Sequence, residues 1–143
     1  MREIKFRALD ENAEWIYGMP LTNVEHEEKE FPIMRNCDET GCWGIKNIDP
    51  KTLGQYTGLK DENGVEIYEG DIVKRTHLFN GGYGETHTGE VVYDKEYARY
   101  VISRPKKHIE PKTEGLRNIL SDKSTYEVVG NVYENIGLLE VAE

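Results

Sequence analysis

The chain has 143 residues, 37% of them apolar and 31% charged, and a net charge of −9. That length supports one core or two small lobes, and the composition is that of a polar, turn-rich globular protein rather than a disordered one. No apolar run nears the roughly 18 residues of a membrane helix. The start MREIKFRALD places charges where a signal peptide has its apolar stretch, so a soluble, cytoplasmic protein without a membrane partner is expected. The acidity is uneven: residues 1–70 hold 8 Lys/Arg against 15 Asp/Glu, and residues 71–143 hold 10 against 12.

In EIKFRALDENAEWIYG (3–18), the alternation of Ile4, Phe6 and Ala8, a polar Asp-Glu-Asn turn and a run with Trp15 and Tyr17 predict a β-hairpin. Residues 22–31, TNVEHEEKEF, are rich in Glu with apolar residues only at Val24 and Phe31, too few for a helical stripe, and read as a solvated loop or a frayed helix. Cys37 and Cys42 lack the paired Cys/His spacings of a metal site, with His26 the one further ligand nearby, and in a cytoplasmic chain they read as free thiols ahead of a disulfide or half of a metal site. A strand is expected around 42–48. Asp49 then caps a single helical turn with Pro50 at its first position, ended by Gly54.

The stretch GLKDENGVEIYEGDIVKR (58–75) is the most specific in the chain. Asp61, Glu62, Asn63 and Gly64 fit a type I turn with a left-handed Gly, joining arms 55–60 and 65–68. A calcium loop is excluded, because Val65 holds the fifth position and Gly64 the fourth. Glu69, Gly70 and Asp71 form a second turn in which the Asp71 carboxylate serves backbone donors. Strands are expected at 71–78, 89–93, 97–103 and 126–133, with a connector at 104–125 that holds two prolines and the helical-turn candidate GLRNILSD. The tail ENIGLLEVAE offers a last turn starting at Asn135, and no internal repeat is evident. The expected fold is mainly β with short helices: an N-terminal hairpin lobe (1–68), an SH3-like small barrel (69–135) and a tail (136–143).

Chemistry is sparsely signalled. The loop FNGGYGET (79–86) has no Gly-Lys-Ser/Thr after it and reads as a hairpin loop, which would set His77 opposite His87, a pair short of a metal site. No carboxylate lies in an apolar run, and no nucleophile, base and orienting group fall in a known order, so no catalytic residue, metal or cofactor is assigned. The one basic window holds Arg99, Arg104, Lys106, Lys107 and Lys112, beside Tyr97 and Tyr100. It suits phosphate contacts and base stacking, while the net charge of −9 opposes a polyanion.

Together, GQYTGLKDENGVEIYEGDIV (54–73), YEVVGNVYEN (126–135) and the N-terminal IKFRALD (4–10) resemble the YopX family of phage and prophage proteins over nearly the whole chain. The resemblance implies a phage-encoded homo-oligomer, and it brings no catalytic residue. The expectation is therefore an accessory protein acting in the bacterial host cytoplasm through contacts with itself and with a phage or host protein, without catalysis. The alternative is a nucleic-acid-binding regulator that uses residues 99–112.

Overall fold

The computed structural model describes residues 3–21, 33–79, 82–103, 113–115 and 124–140. The mainly β class holds: the described residues form antiparallel sheets with one single-turn α-helix. The chain divides into two compact units, Met1–Tyr56 and Thr57–Glu143. Among the described residues, no helix is long and apolar enough to cross a membrane.

In the first unit β1 (Phe6–Leu9) and β2 (Trp15–Leu21) form the expected hairpin, with Ala8 opposite Ile16. β3 (Ile33–Asp38) and β4 (Gly41–Asn47) extend it in the order β4-β3-β2-β1, and the start of β5 (Gly54–Lys60) pairs with the other edge of β1. Alternation sends Ala8, Ile16 and Met34 to one face, where they pack with Ile48 against Phe6 and Leu53. β3 was absent from the sequence reading, because Met34 is followed by Arg35 and Asn36 and no apolar alternation marks the strand. Between β4 and β5, Asp49 caps a 3-10 turn at Pro50–Thr52 by accepting from the Lys51 amide. The buried Thr52 hydroxyl donates to the Asp49 carbonyl and accepts from the Leu9 amide, which ties the turn to β1. The Glu-rich stretch 22–31 lies outside the described residues.

The unit boundary falls inside β5. From Thr57 onward the side chains serve the second core: the Thr57 hydroxyl donates to the Ile67 carbonyl at 2.8 Å, and Ile67 packs with Val73, Val91, Ile102 and Tyr126. β6 (Glu66–Tyr68) completes the hairpin begun by β5. β7 (Asp71–Phe79), β8 (Gly82–Asp94), β9 (Arg99–Ser103), β10 (Thr113–Gly115) and β11 (Ser124–Asn131) form a five-stranded sheet in the order β10-β9-β8-β7-β11. Asp71, almost wholly buried, accepts from the Tyr68 amide at 2.7 Å and so closes the turn between β6 and β7. This is the structural role expected of it. β10 was not anticipated, and the proposed helical turn largely falls outside the described residues. α1 (Gly137–Glu140) follows a turn in which the Asn135 carbonyl accepts from the Leu138 amide.

The Asp-Glu-Asn-Gly hairpin does more than reverse the chain. Asp61 Oδ1 accepts from the amides of Asn63 and Val65 at 2.9 and 2.8 Å, and Gly64 takes φ +80° as expected. Asp61 Oδ2 accepts from the Val128 amide, and the Glu62 amide donates to the Tyr126 carbonyl, both at 3.0 Å. β11 is an edge strand, and this turn satisfies part of the backbone that the edge would otherwise leave open. Further along β11 the register shifts between Val128 and Gly130, a bulge at the glycine.

Candidate contact surface

The first unit's sheet buries one face and leaves much of the other open. Tyr17 and Met19 follow the buried Ile16 at alternate positions of β2, so they point away from the core and are 40% and 43% exposed. Met19 lies opposite Arg35, and Arg35 opposite Ile45, in one row across β2, β3 and β4. Ile45 is 56% exposed. At the β1 end of this face the Arg7 guanidinium sits 4.4 Å from the centre of the Trp15 ring, a cation–π contact that closes over that end. The open area therefore runs from Tyr17 towards β4.

β4 is exposed along its whole length and carries a bulge. Gly44 has φ +56° and is the extra residue between the pairs Arg35–Ile45 and Asn36–Trp43. Without it Trp43 and Ile45, two positions apart, would share a face; with it they take opposite faces. Trp43, 58% exposed, turns back over the β3–β4 turn, where its indole N–H donates to Asp38 Oδ1 and Thr40 Oγ at 3.3 and 3.2 Å. Asp38 Oδ1 also accepts from the Thr40 hydroxyl and amide, bonds that favour the ionised carboxylate and hold its pKa below the ordinary value.

The free-thiol reading of Cys37 and Cys42 is corrected. The two are directly opposed in the β3–β4 ladder, with Cα atoms 3.9 Å apart, and form a disulfide. Sequence spacing ranked this reading second, because the pairing depends on β3, which carries no strand signal. The bridge lies on the same side of the sheet as Arg35 and Ile45, since Cys37 is two residues beyond Arg35 in β3.

The expected histidine pair is also corrected. His87 lies opposite Arg75, and His77 falls in a register shift between Thr76 and Leu78, facing Ser124 on β11. Opposing the two histidines needs a reversal centred on Gly82, whereas Gly82 pairs with Phe79 and a register shift follows between Thr76 and Leu78. Among the described residues no group of three or more His, Cys, Asp or Glu is placed to hold a metal.

Of the basic window, the structure describes Tyr97, Arg99 and Tyr100, while Arg104, Lys106, Lys107 and Lys112 lie outside the described residues. Tyr97 is 65% exposed in the β8–β9 turn, with the Arg99 guanidinium 5.1 Å from its ring centre. Arg99 is also ion-paired to Asp94 at 3.5 Å. Tyr100 packs against the second core and meets Tyr93 edge-on at 5.2 Å, so its ring is committed to the fold. Tyr17, Met19 and Ile45 were not singled out in the sequence, although the alternation through WIYGM places Tyr17 and Met19 opposite Ile16.

Comparison with known proteins agrees with this architecture. The crystal structure of protein EF1440 from Enterococcus faecalis is similar over 97% of this chain and 99% of that one, with 25% identity and a TM-score of 0.55. No curated protein matches the chain. The family model described as YopX protein matches residues 5–140, nearly the full length, and the chain belongs to the YopX family.

Proposed function

We propose that this is a phage- or prophage-encoded accessory protein of the host cytoplasm that works through protein contacts, first with a second copy of itself, and not by catalysis. The observation that carries the reading is the open sheet face with Tyr17, Met19 and Ile45 exposed in contiguous rows. Exposed apolar residues gathered on one sheet face mark interaction surfaces more often than scattered ones do. A second copy meets the same surface through a two-fold axis, so a single patch supplies both sides of the interface.

The test is light scattering coupled to size exclusion at micromolar concentration, at low and high salt. A discrete, salt-resistant oligomer is expected. Met19→Lys combined with Ile45→Lys should give a monomer that keeps the parent's β spectrum, because both side chains are solvent-exposed in the single chain. A parent chain that runs as a monomer throughout would remove self-association from the reading. The nucleic-acid alternative rests on the basic residues 104–112 alone, since Arg99 is engaged by Asp94. Adding short DNA to the same runs tests it: a mass shift at low salt that Lys106→Glu with Lys107→Glu abolishes would favour it.

A further inference from the structure

We propose that Cys37 and Cys42 are a reversible dithiol–disulfide pair, a redox site on the exposed face of the β3–β4 hairpin, and not a scaffold disulfide. The inference goes beyond the contact reading and concerns the single chain, since the bridge lies on the side of the sheet that a second copy would approach.

Three observations support it. The hairpin is held without the bond: β3 and β4 are paired from Ile33–Asn47 to Asp38–Gly41 on either side of the Gly44 bulge, and the turn is fixed by Asp38 accepting from the Thr40 amide at 2.7 Å and hydroxyl at 2.6 Å. The reduced thiols therefore stay opposed and ready to close again. The loop enclosed by the bond is only the four residues between the cysteines, so cross-linking removes little freedom from the unfolded chain. Finally, the pair is open to attack, since Cys42 is exposed, Cys37 is half-buried and all of β4 faces solvent.

The chemistry is thiol–disulfide exchange. A thiolate of a dithiol reductant attacks one sulfur, the Cys37–Cys42 bond breaks, and the other sulfur leaves as a thiolate and takes a proton. The reductant's second thiol then displaces the first cysteine, so the reductant ends as a disulfide and the chain gains two electrons and two protons. Oxidised glutathione reverses the process through a mixed disulfide that the neighbouring cysteine resolves.

The experiment equilibrates the full chain with a dithiol or with oxidised glutathione, alkylates it, and reads intact mass alongside circular dichroism. The expected result is two alkyl groups after the dithiol, none after oxidised glutathione and no retained glutathione, with the same β spectrum in both states over repeated cycles. In Cys37→Ser, which lacks the resolving thiol, one glutathione should remain bound. Two alkyl groups in both buffers, glutathione retained on the parent chain, or loss of the β spectrum on reduction would each overturn the proposal. The first two show that the cysteines do not act as a pair, and the third that the bond is structural.

Discussion

Ala13 stands in the β1–β2 hairpin where Gly64 stands in the β5–β6 hairpin, and both are left-handed, at φ +58° and +80°. The surrounding bonds also correspond. Asp10 Oδ1 accepts from the amides of Asn12 and Glu14 as Asp61 Oδ1 accepts from those of Asn63 and Val65, and the Ala13 and Gly64 amides each donate to the carbonyl of their Asp. Asp-Glu-Asn is thus one turn used twice. A residue with a Cβ in this region costs roughly 1–2 kcal/mol, less the extra unfolded-state freedom of Gly. Ala13→Gly should therefore stabilise the chain by about 0.5–1 kcal/mol, and Gly64→Ala should destabilise it by about 1 kcal/mol. Urea denaturation of both variants checks the pair, and a loss of stability in Ala13→Gly would refute the shared geometry.

The two aspartates differ in reach. Asp61 also accepts from the Val128 amide, 67 residues away, and so holds the edge of β11 as well as its own turn. Asp61→Ala removes that third bond and leaves a strand amide without its carboxylate, at a cost of about 2–4 kcal/mol. Asp10→Ala should cost about 1–2 kcal/mol, as expected for a turn carboxylate. Amide exchange gives the sharper test: in Asp61→Ala the Val128 amide should lose protection, while amides in the middle of β8 keep theirs. Equal protection in both chains would mean that the Val128 bond contributes nothing.

How much of this was legible in the sequence depended on whether local chemistry or a distant partner decided each feature. The Asp49 cap with Pro50, the Gly64 turn and the Asp71 turn were readable because each uses residues within a few positions of one another. β3 was not, since Met34 is the one fully buried side chain among those described in it and its pairing with β2 supplies the rest. The disulfide was hidden with it. On the surface, Tyr17 and Met19 could be placed opposite Ile16 by alternation, but Ile45 could not join them on paper, because the Gly44 bulge reverses the faces of everything before it in β4.

Glycine contacts separate two kinds of close approach in the second sheet. A Cβ on Gly130 would meet the Asn135 side chain at 2.7 Å, and that side chain can move at the cost of the bond its Oδ1 accepts from the Asn131 amide. A Cβ on Gly89 would overlap Ile102 in the core and approach the Ser103 carbonyl oxygen at 2.8 Å, where backbone cannot yield. Gly89→Ala should cost about 2–3 kcal/mol and Gly130→Ala about 1 kcal/mol. Thermal melts that reversed that order would refute the close approach of β9 to β8 at Gly89.

Glu90 sits in the middle of this sheet, opposite Ile72 on β7 and Ser103 on β9, and burial raises its pKa above the ordinary 4.5. Desolvation penalises the charged form, so between the unfolded pKa and the raised folded one the native chain binds more protons than the unfolded chain. Stability contributed at this position is therefore present below the unfolded pKa and declines as pH rises through the folded one. Glu90→Gln keeps the shape and removes the charge, so its melting temperature should exceed the parent's at about pH 7, with the difference closing towards about pH 4, where the parent's carboxyl is also neutral. A variant less stable than the parent at neutral pH would mean that the carboxylate makes a bond outweighing its desolvation, and the cause assigned to its shift would be wrong.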